Sequence, residues 1–160
     1  MWEERVADAW QRIDEYEPEA FRALIDALAA ELPPGSAEAD FERGCAFDST
    51  GHPDRAVPLY RQALATGLTG ERRRRAVVQM ASSVRNLGRP QESVALLEEE
   101  LTRGSDHLDD AVRAVLALAL TDLRREREAV SILLVALAPH LPRYQRSMAN
   151  YGRALVEPQS

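Results

Sequence analysis

One short turn segment recurs along this chain at a spacing that only a stack of similar units explains. Thr50-Gly51-His52-Pro53-Asp54-Arg55-Ala56, Leu87-Gly88-Arg89-Pro90-Gln91-Glu92-Ser93 and Leu123-Arg124-Arg125-Glu126-Arg127-Glu128-Ala129 align, and their closing small residues lie 37 and then 36 positions apart. Ala20 lies a further 36 positions before Ala56. Small residues precede the turns at Gly44, Ala81 and Ala117, and bulkier ones follow three later at Phe47, Val84 and Leu120. Beyond the turns stand Tyr60, Leu97 and Leu133, with Leu64, Leu101 and Leu137 four later. A small residue lets two helices approach closely, and a large one a turn away fills the gap. A lone helical hairpin cannot bury its apolar face, so repeats of this kind must stack on one another.

The local pattern is helical throughout. Apolar residues recur three and four apart, as in Val6, Trp10, Ile13 and then Phe21, Leu24, Ile25, Leu28 and Leu32. No sustained alternation and no Asn-Gly or Asp-Gly turn signals a strand. Pro18, Pro53, Pro90 and Pro142 each suit the first position of a helix, where a missing N–H costs nothing. Gly35, Gly51, Gly67, Gly70, Gly88 and Gly104 fall between apolar runs, as helix-ending residues do. Asp106-x-x-Asp109 has the form of a capping box with aspartate in place of glutamate. The punctuation predicts nine helices, near 2–15, 18–32, 36–50, 53–66, 71–87, 90–103, 107–124, 126–138 and 142–156. They group into hairpins over 2–32, 36–67, 71–103 and 107–138, with a capping helix over 142–156. No long linker divides the chain, so residues 1–160 are expected to form a single all-α domain.

The repeat resembles the tetratricopeptide repeat, or TPR. Its best copy reads Gly44-x-Ala46-Phe47-x-x-x-Gly51-x-x-x-x-Ala56-x-x-x-Tyr60-x-x-Ala63-Leu64. This is the family's series of small residue, aromatic, glycine, alanine, aromatic and alanine. The second copy departs at Glu100, where a small residue is usual, and the third has Arg124 where glycine is usual. The N-terminal hairpin matches only in its second helix, through Ala20, Leu24, Ala27 and Leu28, and carries Asp8 where a small residue is expected. The resemblance covers roughly residues 5–141 and is closest to small stand-alone bacterial TPR proteins. It implies a right-handed superhelix of antiparallel helix pairs, an α-solenoid, with a C-terminal capping helix.

In this family the first helix of each hairpin lines a concave groove that binds partners. The resemblance therefore points to Glu38, Phe41, Cys45, Asp48 and Ser49, then to Arg75, Val78, Ser82, Arg85 and Asn86. The third hairpin adds Ala111, Ala114, Leu118, Thr121 and Asp122. Arg85 and Asn86 together suit a peptide carboxylate or backbone. The plainer reading is that they bond neighbouring turns. Some TPR modules clamp a C-terminal carboxylate with Lys and Asn, but those positions here hold Phe41, Cys45, Gln79 and Ser82. That clamp is missing, so a chaperone-tail adaptor is not expected.

Composition narrows the function classes. All 20 basic residues are arginine, a pattern read first as codon bias. The net charge of −6 argues against a general nucleic-acid binder. The charge is uneven, at −8 over residues 1–70 (14 acids, 6 arginines) and +2 over residues 71–160 (12 acids, 14 arginines). Arg72-Arg73-Arg74-Arg75 opposes a helix dipole and has no interleaved aromatics. A solvated face, or pairing with acids such as Glu98, Glu99 and Glu100, accounts for it better than phosphate binding does. No run of ~18 uncharged apolar residues suggests a membrane span. The opening Met1-Trp2-Glu3-Glu4-Arg5 lacks the layout of a signal peptide, and a single cysteine suits the cytosol.

Chemistry is thinly represented. His52, His107 and His140 lie far apart at predicted helix ends, without metal-ligand spacing. There is no glycine-rich phosphate loop, and Cys45 beside Gly44 reads as a small core residue. The expectation is a cytoplasmic protein–protein interaction module with no metal, no cofactor and no catalysis, binding a protein or peptide. Self-association as a homodimer is the alternative, suggested by the charge asymmetry and by Trp2, Trp10, Tyr144, Met148 and Tyr151 near the ends. An enzyme on a helical solenoid is the remote one.

Overall fold

The computed structural model describes residues 1–158, and among them there are helices and turns but no strand. The α-helices are α1 (Trp2–Gln11), α2 (Pro18–Ala29), α3 (Ala37–Ser49), α4 (Pro53–Ala65), α5 (Gly70–Asn86), α6 (Pro90–Thr102), α7 (Asp109–Asp122), α8 (Glu126–Leu137) and α9 (Gln145–Ala154). Their contacts gather into two compact units, Met1–Ser83 and Val84–Ser160, and the division falls within α5.

In the first unit, Phe21 and Ile25 of α2 are wholly buried among Val6, Ala9 and Leu28, with Trp2, Trp10 and Tyr16 packed against them. Trp10 meets Phe21 edge to face at 4.9 Å. The Trp2 indole donates to the carbonyl of Leu28 at 2.7 Å, an acceptor at the end of α2 that also takes the Glu31 N–H at 3.2 Å. The tryptophans are therefore spent on the N-terminal hairpin core and offer little to a dimer contact.

Gly44 sets the spacing of α3 and α4. A Cβ there would lie 2.9 Å from Tyr60 Cε1 and 3.0 Å from Cδ1. The wholly buried Tyr60 ring thus fills the space that the missing side chain vacates. Its hydroxyl donates to Asp48 Oδ2 at 3.2 Å, and Ser83 donates to Asp48 Oδ1 at 2.7 Å.

The hairpin turns are three copies of one geometry. His52, Arg89 and Arg125 each donate a backbone N–H across six residues, to Phe47, Val84 and Leu120, at 2.9, 3.2 and 2.9 Å. The preceding residue is left-handed each time, with φ of 81° at Gly51, 77° at Gly88 and 61° at Arg124. This is the Schellman closure, which favours glycine. Arg124 adopts it with a side chain, at a local cost of about 1 kcal/mol.

In the second unit α6, α7, α8 and α9 pack in sequence. Gly152 of α9 is buried against α8, where a Cβ would lie 3.1 Å from Leu134 Cβ and 3.2 Å from the Ser131 carbonyl.

Several predicted boundaries move; α2, for one, ends at Ala29 rather than 32. Helix α1 ends at Gln11 rather than 15, because residues 13–15 tighten into a 3-10 turn. Ile13 and Tyr16 are thereby brought onto the core, with Tyr16 6.2 Å from Phe21. Helix α7 starts at Asp109, not 107. The Asp106 carboxylate accepts from Leu108 N–H at 2.7 Å, and only the reverse half of the capping box forms, from Asp106 N–H to Asp109 at 3.2 Å. Helix α9 starts at Gln145, so Pro142 does not open it. Leu141 is extended, as a residue before proline prefers, and Tyr144 turns left-handed at φ 68°.

Candidate partner-binding surface

The sequence-predicted groove residues fall into three situations. Phe41 and Cys45 are buried, at 0% and 1% exposure, and present no contact surface as they stand. The reason is the stacking itself, since these are the positions that packing between repeats covers. The Arg75 guanidinium lies 5.3 Å above the Phe41 ring, so Arg75 also serves the packing. Cys45 Sγ lies 3.5 Å from Gln79 Oε1. Burial, and secondarily the charge of Glu42, pushes its thiol up to about 12. Such a thiol is protonated at neutral pH and is a poor nucleophile.

Other positions are already bonded, Asp48 and Arg85 half-buried and Thr121 and Asp122 exposed. Asp48, whose carboxyl burial holds above the usual range, takes the two hydroxyl bonds described above. Arg85 Nη2 donates to Asp122 Oδ1 at 3.1 Å, and its Nε lies 2.6 Å from Oδ2. Arg85 and Asp122 thus hold each other, 37 residues apart, and Arg85 is not a free grip for a carboxylate. Thr121 returns its hydroxyl to the Ala117 carbonyl at 2.9 Å. Val78 and Ser82 are half-buried, while Ser49 and Asn86 are exposed.

The remaining positions, on α7, are open. Ala111, Ala114 and Leu118 are exposed on successive turns, and Leu118 is 50% accessible. They form a low apolar ridge bordered by Thr121. It offers no acid, base or nucleophile, but it can receive an apolar side chain of another segment.

Sequence reasoning missed two features. The first is the fate of the arginine run. Arg74 is buried, and Arg72 is half-buried against Glu42 and Glu3. Its Nε lies 3.2 Å from Glu42 Oε1, and Trp10 donates to Glu42 Oε2 at 2.8 Å. Glu42 is a buried carboxylate, and these two donors from α5 and α1 compensate it. Arg72 also lies 5.7 Å from the Trp2 ring and draws the Glu3 carboxyl below its ordinary range. For Arg72, then, the partners are Glu3 and Glu42 rather than Glu98–Glu100. Only Glu42, an acid on the packed side of its helix, could have signalled this.

The second is a cavity of about 510 Å³ beside α2, α3 and the start of α4. Arg22 and Arg55 both stack on Phe47, at 5.9 and 4.7 Å, while Arg43 pairs with Asp26 at 2.7 Å. The sequence marked Phe47 only as a gap-filler of the repeat.

Among the described residues no group of three His, Cys, Asp or Glu side chains is placed to hold a metal ion. No helix among them is long and apolar enough to cross a membrane.

Comparison with known proteins bears on the fold. The family model described as tetratrico peptide repeat matches residues 37–155. The match begins at α3, leaving outside it the N-terminal hairpin, whose Asp8 already departs from the pattern. A solved structure described as the nearly identical TPR-like repeats of a kinesin light chain from Podosopora anserina superposes with a TM-score of 0.72. It is 19% identical and covers 96% of this chain and 82% of its own. No curated protein matches the chain.

Proposed function

We propose that this chain, which belongs to the tetratricopeptide repeat family, is a binding module that takes a peptide segment or partner protein on the first-helix side of its hairpins. TPR repeats are generally protein–protein interaction scaffolds rather than enzymes, and the chain has their fold. The observation that carries the reading is the ridge of Ala111, Ala114 and Leu118 on α7. Half of the Leu118 side chain is left open there, and burying that surface against a ligand is worth about 1 kcal/mol or more. In this reading residues 1–160 are one TPR-like domain, and the exposed Asn86 adds a polar contact in the unit that carries the ridge. A protonated, buried Cys45 supports a non-catalytic role, and a lone free thiol suits the cytosol.

The test uses peptides selected from a displayed library against the intact protein. Leu118→Glu, at a position with no structural load, should leave the helical dichroism unchanged and weaken the selected peptides at least about tenfold. Equal affinity for both proteins would overturn the assignment of this ridge.

A second reading, self-association, has its own support. Of the nine large apolar residues that are exposed, six lie between Val130 and Val156.

A further inference from the structure

The repeat register identifies a surface on α8 that has lost its cover. Val130, Leu133 and Leu137 occupy the positions held by Val57, Tyr60 and Leu64 in the first good repeat, and by Val94, Leu97 and Leu101 in the second. Val57, Tyr60, Val94 and Leu97 are at most 5% exposed. Val130, Leu133 and Leu137 are 46%, 45% and 50% exposed. The residues are the same in kind, so the difference lies in what packs on them. Helix α9 begins 36 residues after α7, where a further first helix is due. It nevertheless settles on another side of α8, with Gly152 against Ser131, Leu134 and Val135. The stripe at 130, 133 and 137 follows helical spacing along one face and stays open.

We propose that this stripe is the interface of a two-fold homodimer in which α8 of one copy packs antiparallel on α8 of the other. This gives the self-association named above a surface, and it is independent of the peptide-binding ridge. The charges favour a second copy as the occupant. Glu126 lies one turn before Val130 on the same stripe, and Arg143 lies beyond the other end. Both are exposed, and neither has an ion-pair partner among the described residues. Under a two-fold axis near Leu133 and Leu134, Val130 faces the second copy's Leu137. Glu126 then comes to the C-terminal end of the second copy's α8, the end after which its Arg143 follows in sequence. A stripe with an acidic start and a basic end is its own complement when reversed, as an isologous interface requires. Antiparallel α8 helices also bring opposite dipole ends together.

Sedimentation equilibrium of the full chain over a wide concentration range tests the proposal, with a dimer of twice 17.8 kDa expected. Leu133→Asp should give a monomer with unchanged helical dichroism. Leu133→Cys should form a disulfide-linked dimer on mild oxidation, while Gln91→Cys, exposed on α6, should not. Cys45 is buried and stays silent in this assay. Glu126→Arg should weaken the dimer about tenfold, and adding Arg143→Glu should restore it. A monomeric mass at every concentration overturns self-association altogether, leaving the ridge reading intact. A dimer that survives Leu133→Asp and does not cross-link at 133 overturns this surface.

Discussion

Gly44 and Tyr60 make a sharp test of how the repeats are built. A methyl group at 44 would sit 2.9 and 3.0 Å from two ring carbons of Tyr60 and 3.4 Å from Leu59 Cβ. Aromatic carbons at the end of a wholly buried ring have no free direction in which to yield. Overpacking of this kind costs about 1–3 kcal/mol. Two ring carbons at or under 3.0 Å put this site in the upper part of that range, about 2–3 kcal/mol, and alanine recovers about 1 kcal/mol of helix propensity over glycine, so Gly44→Ala should cost a net ~1–2 kcal/mol. At about 2–4 °C per kcal/mol for a chain of this size, the Tm should fall by roughly 2–8 °C. Tyr60→Leu alone should cost about 2 kcal/mol, through lost volume and the lost bond to Asp48, which keeps its bond from Ser83. The double variant recreates the residues that stand at the same repeat positions in the third copy, Ala117 and Leu133. Its loss should be smaller than the sum of the singles by ~1–2 kcal/mol. Urea or thermal unfolding of the four proteins closes the cycle. A Gly44→Ala protein as stable as its parent, or a cycle that sums to zero, would refute the account of this spacing.

Other outcomes follow from single contacts. Arg124→Gly, at φ 61° in a turn where the other copies use glycine, should raise the Tm by about 2 °C in a thermal scan. Arg72→Met leaves Glu42 buried with only the Trp10 donor. Discounted for the partial exposure of Arg72, the loss should be about 2 kcal/mol by urea denaturation. The same variant should lose some acid sensitivity. The Glu3 carboxyl is depressed by Arg72, so its stabilisation exists above the ordinary carboxylate range and disappears as pH falls through the depressed value. Unfolding curves at neutral and acid pH would expose a failure if both proteins lose stability equally. Cys45 should resist iodoacetamide at neutral pH until denaturant exposes it, and alkylation of the native protein at the rate of a free thiol would contradict its burial.

The fold was legible because the repeat writes its own geometry. Pro18, Pro53 and Pro90 do open their helices, and the glycines between apolar runs do take left-handed turns. Three of the boundaries that moved share one cause. Asp106, Ile13 and Pro142 each had a competing local use, in an Asx turn, a core contact and a proline-restrained extended stretch, and spacing alone does not rank such uses. The surface was less legible. A family pattern marks which helix faces a groove, but not how deeply each position is covered. Phe41 and Cys45 therefore turned out buried, and Arg85 turned out paired to Asp122. Exposure at 130, 133 and 137 was invisible for the same reason, because the residues match counterparts that are buried or, at Leu64 and Leu101, half-buried.

The placement of the indoles has an optical consequence. Both tryptophans of the chain, Trp2 and Trp10, belong to the N-terminal hairpin, and Trp10 is bonded to the buried Glu42 carboxylate. Intrinsic fluorescence excited at the red edge of the absorption band thus follows the loosening of that hairpin and of its contacts with α3 and α5, all within the first unit. Far-ultraviolet dichroism instead sums over every helix. If the two compact units unfold separately, the two signals will give different midpoints, and the order of the midpoints will name the unit that opens first.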